Sequence, residues 1–357
     1  MKEIQHPSVS LTELMKDKNM SQRDLSSIIQ LTPSVLNNIL VNKKPFTAEL
    51  SVKLEAVGLG RAKDWMVKQA MYDVNKTEIS LSEEATLIRI WNNIQKIIPN
   101  SYFRKKNIID SDIKSNIKSI FKIYNVKNFE EFYQYHEDYV FSHYRKSNAF
   151  SEQKNNVIAW STYAEYVVKD IKVKKFNLNN QTNLINELNI LFNKNTENLI
   201  KDTKKTLNSY GIKFDTLDRP SKTPVDGKSF MSNGIPSIVL SLKYKRLDNF
   251  AFTIMHELGH VFLHLTGNYK NHSFFINSSK NDILEFEANQ FARNMLIPES
   301  EWEYFEIANN VFTDDVILNF AKKIKVHPAI VRGRVCFEHN KYYRRKSAIT
   351  ATNIISY

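Results

Sequence analysis

The chain has 357 residues, of which 42% are apolar, 25% charged and 12% aromatic, with only eight glycines and nine prolines. That composition excludes a collagenous, low-complexity or disordered chain and leaves room for two or three folded domains at ~100–200 residues each. Fifty Lys and Arg against 38 Asp and Glu give a net charge of +12, which allows a polyanionic partner but does not require one.

In chain order, Ser21 is a good N-cap for a short helix with Leu25, Ile28 and Ile29 on one apolar face. Gln30-Leu31 breaks it, after which Thr32 can cap and Pro33 can open a second helix reaching about Leu40, with Val35 or Leu36 and Ile39 inward. Two short helices around a tight turn place the second one in a DNA major groove. Outward Ser34, Asn37 and Asn38 can hydrogen-bond base edges, and Gln22, Lys43 and Lys44 sit where phosphates could be gripped. Together with Thr32 these are the candidate DNA contacts. His6-Pro7, Met20-Ser21-Gln22, Thr32-Pro33-Ser34, Asn42-Lys43-Lys44-Pro45 and Trp65 resemble the HigA-type antitoxin helix-turn-helix domain over roughly residues 5–75. The resemblance implies operator DNA as a partner, bound as a homodimer. Residues 1–75 carry 10 basic and 8 acidic side chains, a balance that predicts modest non-specific affinity.

Residues 76–205 are almost free of Gly and Pro and place Leu87, Ile90, Trp91, Ile94, Ile97 and Ile98 at helical spacing, which predicts packed helices. After Gly211 the pattern changes: Ile212 and Phe214 alternate with polar residues, and Ile235 to Leu242 is a short β-rich run, so strands are expected. Asp226-Gly227-Lys228-Ser229 imitates a phosphate-binding loop, but the earlier glycine that such a loop needs would fall at Lys222.

Next comes His256-Glu257-Leu258-Gly259-His260, on an apolar helix for which Asp248 is the expected N-cap. On a helix, i and i+4 stack on one face, so His256 and His260 can reach one ion while Glu257 stands beside them as proton acceptor from a water. A third ligand follows in Glu285-Phe286-Glu287-Ala288-Asn289, on a helix ended by Pro298. Glu285 and Glu287 lie about 200° apart on that helix, so only one can face the ion. Glu285 is the choice, because Asn289 shares its face and can orient His256, whereas Glu287 is followed by Phe291. Ala288 and Ala292 are small enough for close helix approach. His264 is expected to support the site rather than to ligate. Two His and one Glu with a fourth position open is the ligand set of catalytic zinc, with Mn²⁺ or Fe²⁺ as alternatives. Tyr244, Tyr269 and His272 are nearby candidates for stabilising an oxyanion.

These residues, with Lys222 to Gly227, Gly234 to Phe250 and the Glu-x-Glu-Ala-Asn-x-Phe-Ala run to Pro298, resemble the ImmA/IrrE family of metallopeptidases over about residues 206–335. That resemblance implies a compact gluzincin-like domain in a regulator, often one that cleaves a repressor. Phe320 to Val331 repeats the apolar and proline positions of Leu25 to Leu36, and is read as a helix pair closing the core. From 319 to 346 nine basic residues face Glu338 alone, read as a solvated stripe.

The expected fold is mainly α with a small α/β part: an all-α helix-turn-helix domain at 1–75, a helical connector at 76–205, and a zinc peptidase domain with a small sheet and a basic tail at 206–357. The expected function is a DNA-binding regulator whose zinc-dependent endopeptidase domain cleaves a partner regulator, a toxin or itself. The alternative is a HigA-like antitoxin or repressor whose peptidase domain is a non-catalytic scaffold. The lone Cys336, the lack of a secretory h-region and the lack of an apolar run of about 18 residues point to the cytoplasm and away from membranes.

Overall fold

The computed structural model describes residues 4–143, 151–267, 274–275, 283–340 and 347–349. It is mainly helical, and contacts divide it into two units, Met1–Asn92 and Asn93–Tyr357.

In the first unit α1 (Pro7–Asp17), α2 (Gln22–Ile28), α3 (Pro33–Leu40) and α4 (Ala48–Ala56) precede a long helix, α5 (Ala62–Ile97), which runs past the unit's end. Each short helix starts where a side chain accepts from its first-turn amides: His6 for α1, Ser21 for α2, whose own N–H donates back to the Asp24 carboxylate, Thr32 for α3 and Thr47 for α4. Gln30, in the break, has φ 51°, the left-handed conformation that lets the chain leave one helix and enter the next. Leu11, Leu25, Ile29, Leu36, Ile39, Leu54 and Trp65 fill the core, and Trp65 Nε1 donates to the Leu59 carbonyl at 2.8 Å. Ile28 departs from the expected face and is 53% exposed. The buried stripe of α2 is centred between Leu25, Ser26 and Ile29, which leaves Ile28 about 100° away from it.

The second unit begins with α6 (Asn100–Lys105), α7 (Ile113–Tyr124), α8 (Phe129–His143), α9 (Ser151–Val168), α10 (Gln181–Lys194) and α11 (Leu199–Ser209). Strands β1 (Lys213–Thr216), β2 (Gly227–Ser232) and β3 (Ile235–Leu240) follow, then α12 (Leu247–Gly259), one π-helical turn (His260–Leu265), β4 (Phe274–Phe275), α13 (Ile283–Leu296), α14 (Glu299–Ala308), α15 (Asp314–Ile324) and α16 (Pro328–Glu338). The small sheet has the order β1-β3-β2-β4, with β1 parallel to β3 and the other pairs antiparallel. Asn233 and Gly234, both at positive φ, close the β2–β3 hairpin, as a two-residue turn of the primed type requires. α9 packs directly on β1 and β2.

β2 was hidden in the sequence by its polar residues. Lys228 is fully buried, and its ammonium donates to Ser161 Oγ at 2.6 Å and to Glu165 on α9, so a lysine occupies a core position of the sheet. Two further expectations change. The cap position of α12 is Arg246, and Asp248 falls in the first helical turn, ion-paired with Arg246 and favourably placed against the helix dipole. Arg334 is not on a solvated stripe: it is buried over the Trp302 ring and bonded to Glu299, Glu338 and the Ile297 carbonyl. Lys341, Arg344, Arg345 and Lys346 lie outside the described residues. The pair α15–α16 contributes Ile317, Phe320, Ile330, Val331 and Val335 to the main core. No helix among the described residues is long and apolar enough to cross a membrane.

Candidate metal centre

α12 is buried along nearly its whole length, and α13 packs across it. The crossing is close because Gly259 faces Ala288: a Cβ on Gly259 would stand 3.0 Å from the Ala288 Cα, and Ala292 is likewise fully buried. This approach brings three side chains to one point. His256 Nε2 and His260 Nε2 are 3.1 Å apart, and the two oxygens of Glu285 lie 3.3 Å from one imidazole each. All three ligand atoms fall within 4.8 Å of one another.

The surroundings fix which nitrogens point inward. Asn289 Oδ1, 3.0 Å from His256 Nδ1, accepts its proton and leaves the Nε2 lone pair facing the cluster. On the other side Glu287 Oε2 lies 3.0 Å from His264 Nε2, and His264 Nδ1 lies 2.9 Å from His260 Nδ1. A carboxylate accepts from His264 Nε2–H, so His264 Nδ1 must accept from His260 Nδ1–H, which again leaves Nε2 of His260 as a lone pair. Two lone pairs and a carboxylate then converge with no proton between the two imidazoles, and a divalent cation is the species that satisfies all of them. Burial lowers the His260 pKa to about 4, which keeps the imidazole neutral. Burial would raise the Glu285 carboxyl, and only protons on the Nε2 atoms of His256 and His260 would pull it down, to about 2; with those nitrogens as lone pairs, that role falls to the cation.

Glu257 is fully buried, and among the described residues neither carboxylate oxygen has a hydrogen-bond partner. Burial pushes its pKa well above the usual carboxylate range; the nearby Ser229 hydroxyl pulls the other way without completing a bond of ordinary geometry. Room for this carboxyl comes from Gly227 at the start of β2, where a Cβ would meet Glu257 Oε1 at 2.5 Å and Leu240 Cδ2 at 2.9 Å. Sequence reasoning missed Gly227 in this role and missed Glu287 as the partner of His264. The available signal was a further histidine one turn beyond the motif and a second glutamate beside the third ligand. Tyr244 is exposed, with Lys243 Nζ 4.9 Å from its ring centre, and Tyr269 and His272 lie outside the described residues.

The residues read as DNA contacts belong to the first unit. Thr32, Ser34, Asn37, Lys43 and Lys44 are exposed, and Gln22 and Asn38 are half-buried. Gln22 Nε2 donates to the Pro33 carbonyl at 3.2 Å, which ties α2 to the start of α3.

A helix-borne pair of histidines, a glutamate from a crossing helix and a buried carboxylate beside them define a candidate metal-dependent hydrolase centre. Residues 209–335 match the family model Peptidase_M78, the IrrE N-terminal-like domain, a span that runs from the last turn of α11 to the last turn of α16 and includes the whole sheet and the cluster. The match supports the ImmA/IrrE resemblance for that part of the chain. No curated protein matches the chain.

Proposed function

We propose that this chain is a DNA-binding regulator whose second unit hydrolyses a peptide bond in a partner protein or in the chain itself. The observation that carries the reading is the convergence of His256, His260 and Glu285 beside the unpartnered carboxyl of Glu257. His256, His260 and Glu285 would hold the ion, zinc by the chemistry of the donor set. Bound there, a divalent cation polarises the scissile carbonyl and makes water a stronger acid. Glu257 takes the proton from the attacking water and returns it to the leaving amine. Asn289 and the Glu287–His264 pair keep the two imidazoles in the correct tautomer. β4, which among the described residues pairs with β2 on one side only, offers a backbone edge to which an extended substrate adds as a strand. In the first unit, Ser34, Asn37 and Asn38 on α3 read operator bases, and Gln22, Thr32, Lys43 and Lys44 hold phosphates.

One observation favours a repressor whose second unit is a scaffold without turnover: burial pushes the Glu257 carboxyl well above the usual carboxylate range, which favours its protonated form and opposes its service as a proton acceptor. Glu257→Gln separates the two readings, since it keeps the ligands and the shape. In cells, promoter output before and after stress or phage exposure is compared for wild type and Glu257→Gln, with a blot for a truncated partner or truncated chain. The proposal expects the fragment and the induction to disappear in the variant. Identical induction with no wild-type fragment supports the scaffold.

A further inference from the structure

α5 carries a second apolar face that nothing in its own unit covers. From Lys76 to Thr86 every residue of this helix is exposed. Val67, Met71, Val74, Leu81, Ala85 and Ile88 are exposed as well, and their spacing of four, three, seven, four and three residues is that of a coiled-coil seam, broken only by Glu78 at the missing position. The large ones are far from marginal, from 41% exposed at Ile88 to 60% at Leu81. The stripe that serves the unit's own core is different: Trp65 and Gln69 are buried, and Tyr72 follows them. It lies two residues, hence about 200°, from Val67, Met71 and Val74. The seam therefore points away from the core that α5 helps to build.

We propose that this seam pairs with the α5 seam of a second copy of the chain, as a parallel, in-register two-stranded coiled coil over residues 67–88. Charge selects the occupant and the direction. With Val67, Val74, Leu81 and Ile88 in one seam column and Met71, Glu78 and Ala85 in the other, Glu84 and Arg89 flank the seam five residues apart. In a parallel pair, that spacing sets Glu84 of each copy against Arg89 of the other. An antiparallel pair would not bring them together in this way. About three heptads is short for such a seam, and Glu78 faces its own counterpart across it, so association is weak and depends on concentration.

Analytical ultracentrifugation of the full chain tests it. Wild type should pass from monomer to dimer as concentration rises. Leu81→Glu should remain monomeric with unchanged helical circular dichroism, because the side chain touches no core, and Glu78→Leu should lower the dimer midpoint by tenfold or more. Glu84→Arg should weaken the dimer and Arg89→Glu in the same chain should restore it. Ala85→Cys should cross-link to itself on oxidation, which wild type, with only buried Cys336, should not. Wild type and Leu81→Glu with the same mass at every concentration, whether monomer or dimer, would overturn the proposal, as would an Ala85→Cys dimer that does not cross-link.

Discussion

The helix pair α2–α3 and the crossing pair α12–α13 are both short constellations of polar side chains on helices, yet they treat water in opposite ways. On α3 the polar residues Ser34 and Asn37 are exposed, and the apolar partners Leu36 and Ile39 hold the helix from behind. Across α12 and α13 the polar residues themselves are inside: His256, His260 and His264 are all buried and are oriented by Asn289, Glu287 and one another, with Glu285 facing the inward nitrogens. A group meant to meet a large polar partner can stay hydrated until the partner arrives. A group meant to grip an ion and shift a proton has to be desolvated beforehand, and every neighbour then has to be supplied by the chain.

The largest expected effects break the buried side. His260→Ala or Glu285→Ala should reduce the divalent metal of the purified chain from about one ion to none, measured by elemental analysis. Glu287→Ala should keep the ion but weaken its affinity, on the order of 10–100-fold, because it removes the anchor of His264 and not a ligand. Metal loss from Glu287→Ala alone would reverse the assignment. Next, Gly227→Ala pushes a methyl group against Glu257 and Leu240, and should destabilise the second unit by ~1–3 kcal/mol in urea titration.

Glu257 sharpens the comparison through pH. Its folded pKa lies above the ordinary 4.5, so above that value the native state holds a proton that the unfolded chain has released. In the metal-free protein Glu257 therefore contributes a loss of stability as pH rises above about 4.5, opposed over the same range by His260, whose pKa of about 4 contributes a gain, and Glu257→Gln should remove the Glu257 share alone and raise the neutral-pH thermal midpoint. A midpoint that falls in the variant would show that the carboxylate is stabilised by a group other than the ion. The smallest effects belong to the exposed side. Asn37→Ala with Asn38→Ala should relax preference for the operator by ~1–3 kcal/mol per lost base contact, whereas Lys43→Ala should weaken binding to all sequences and flatten its salt dependence by about one unit of slope, both read by fluorescence anisotropy across salt concentrations.

Local chemistry was legible from the residue order. Ser21 and Thr32 cap helices by their own chemistry, and histidines four apart on a helix share a face regardless of the rest of the fold. Long-range pairing was not. That Lys228 is a core residue depends on Ser161 and Glu165 arriving from a helix more than sixty positions earlier. That Arg334 turns inward depends on Glu299 and the ring of Trp302, and that Gly227 makes room for Glu257 depends on how β2 settles against α12. Residue order alone determined which side chains could act, because helix periodicity and capping are set within a few residues. Tertiary structure decided which of them are dry and which neighbours they answer to, because burial and pairing arise only when distant elements meet.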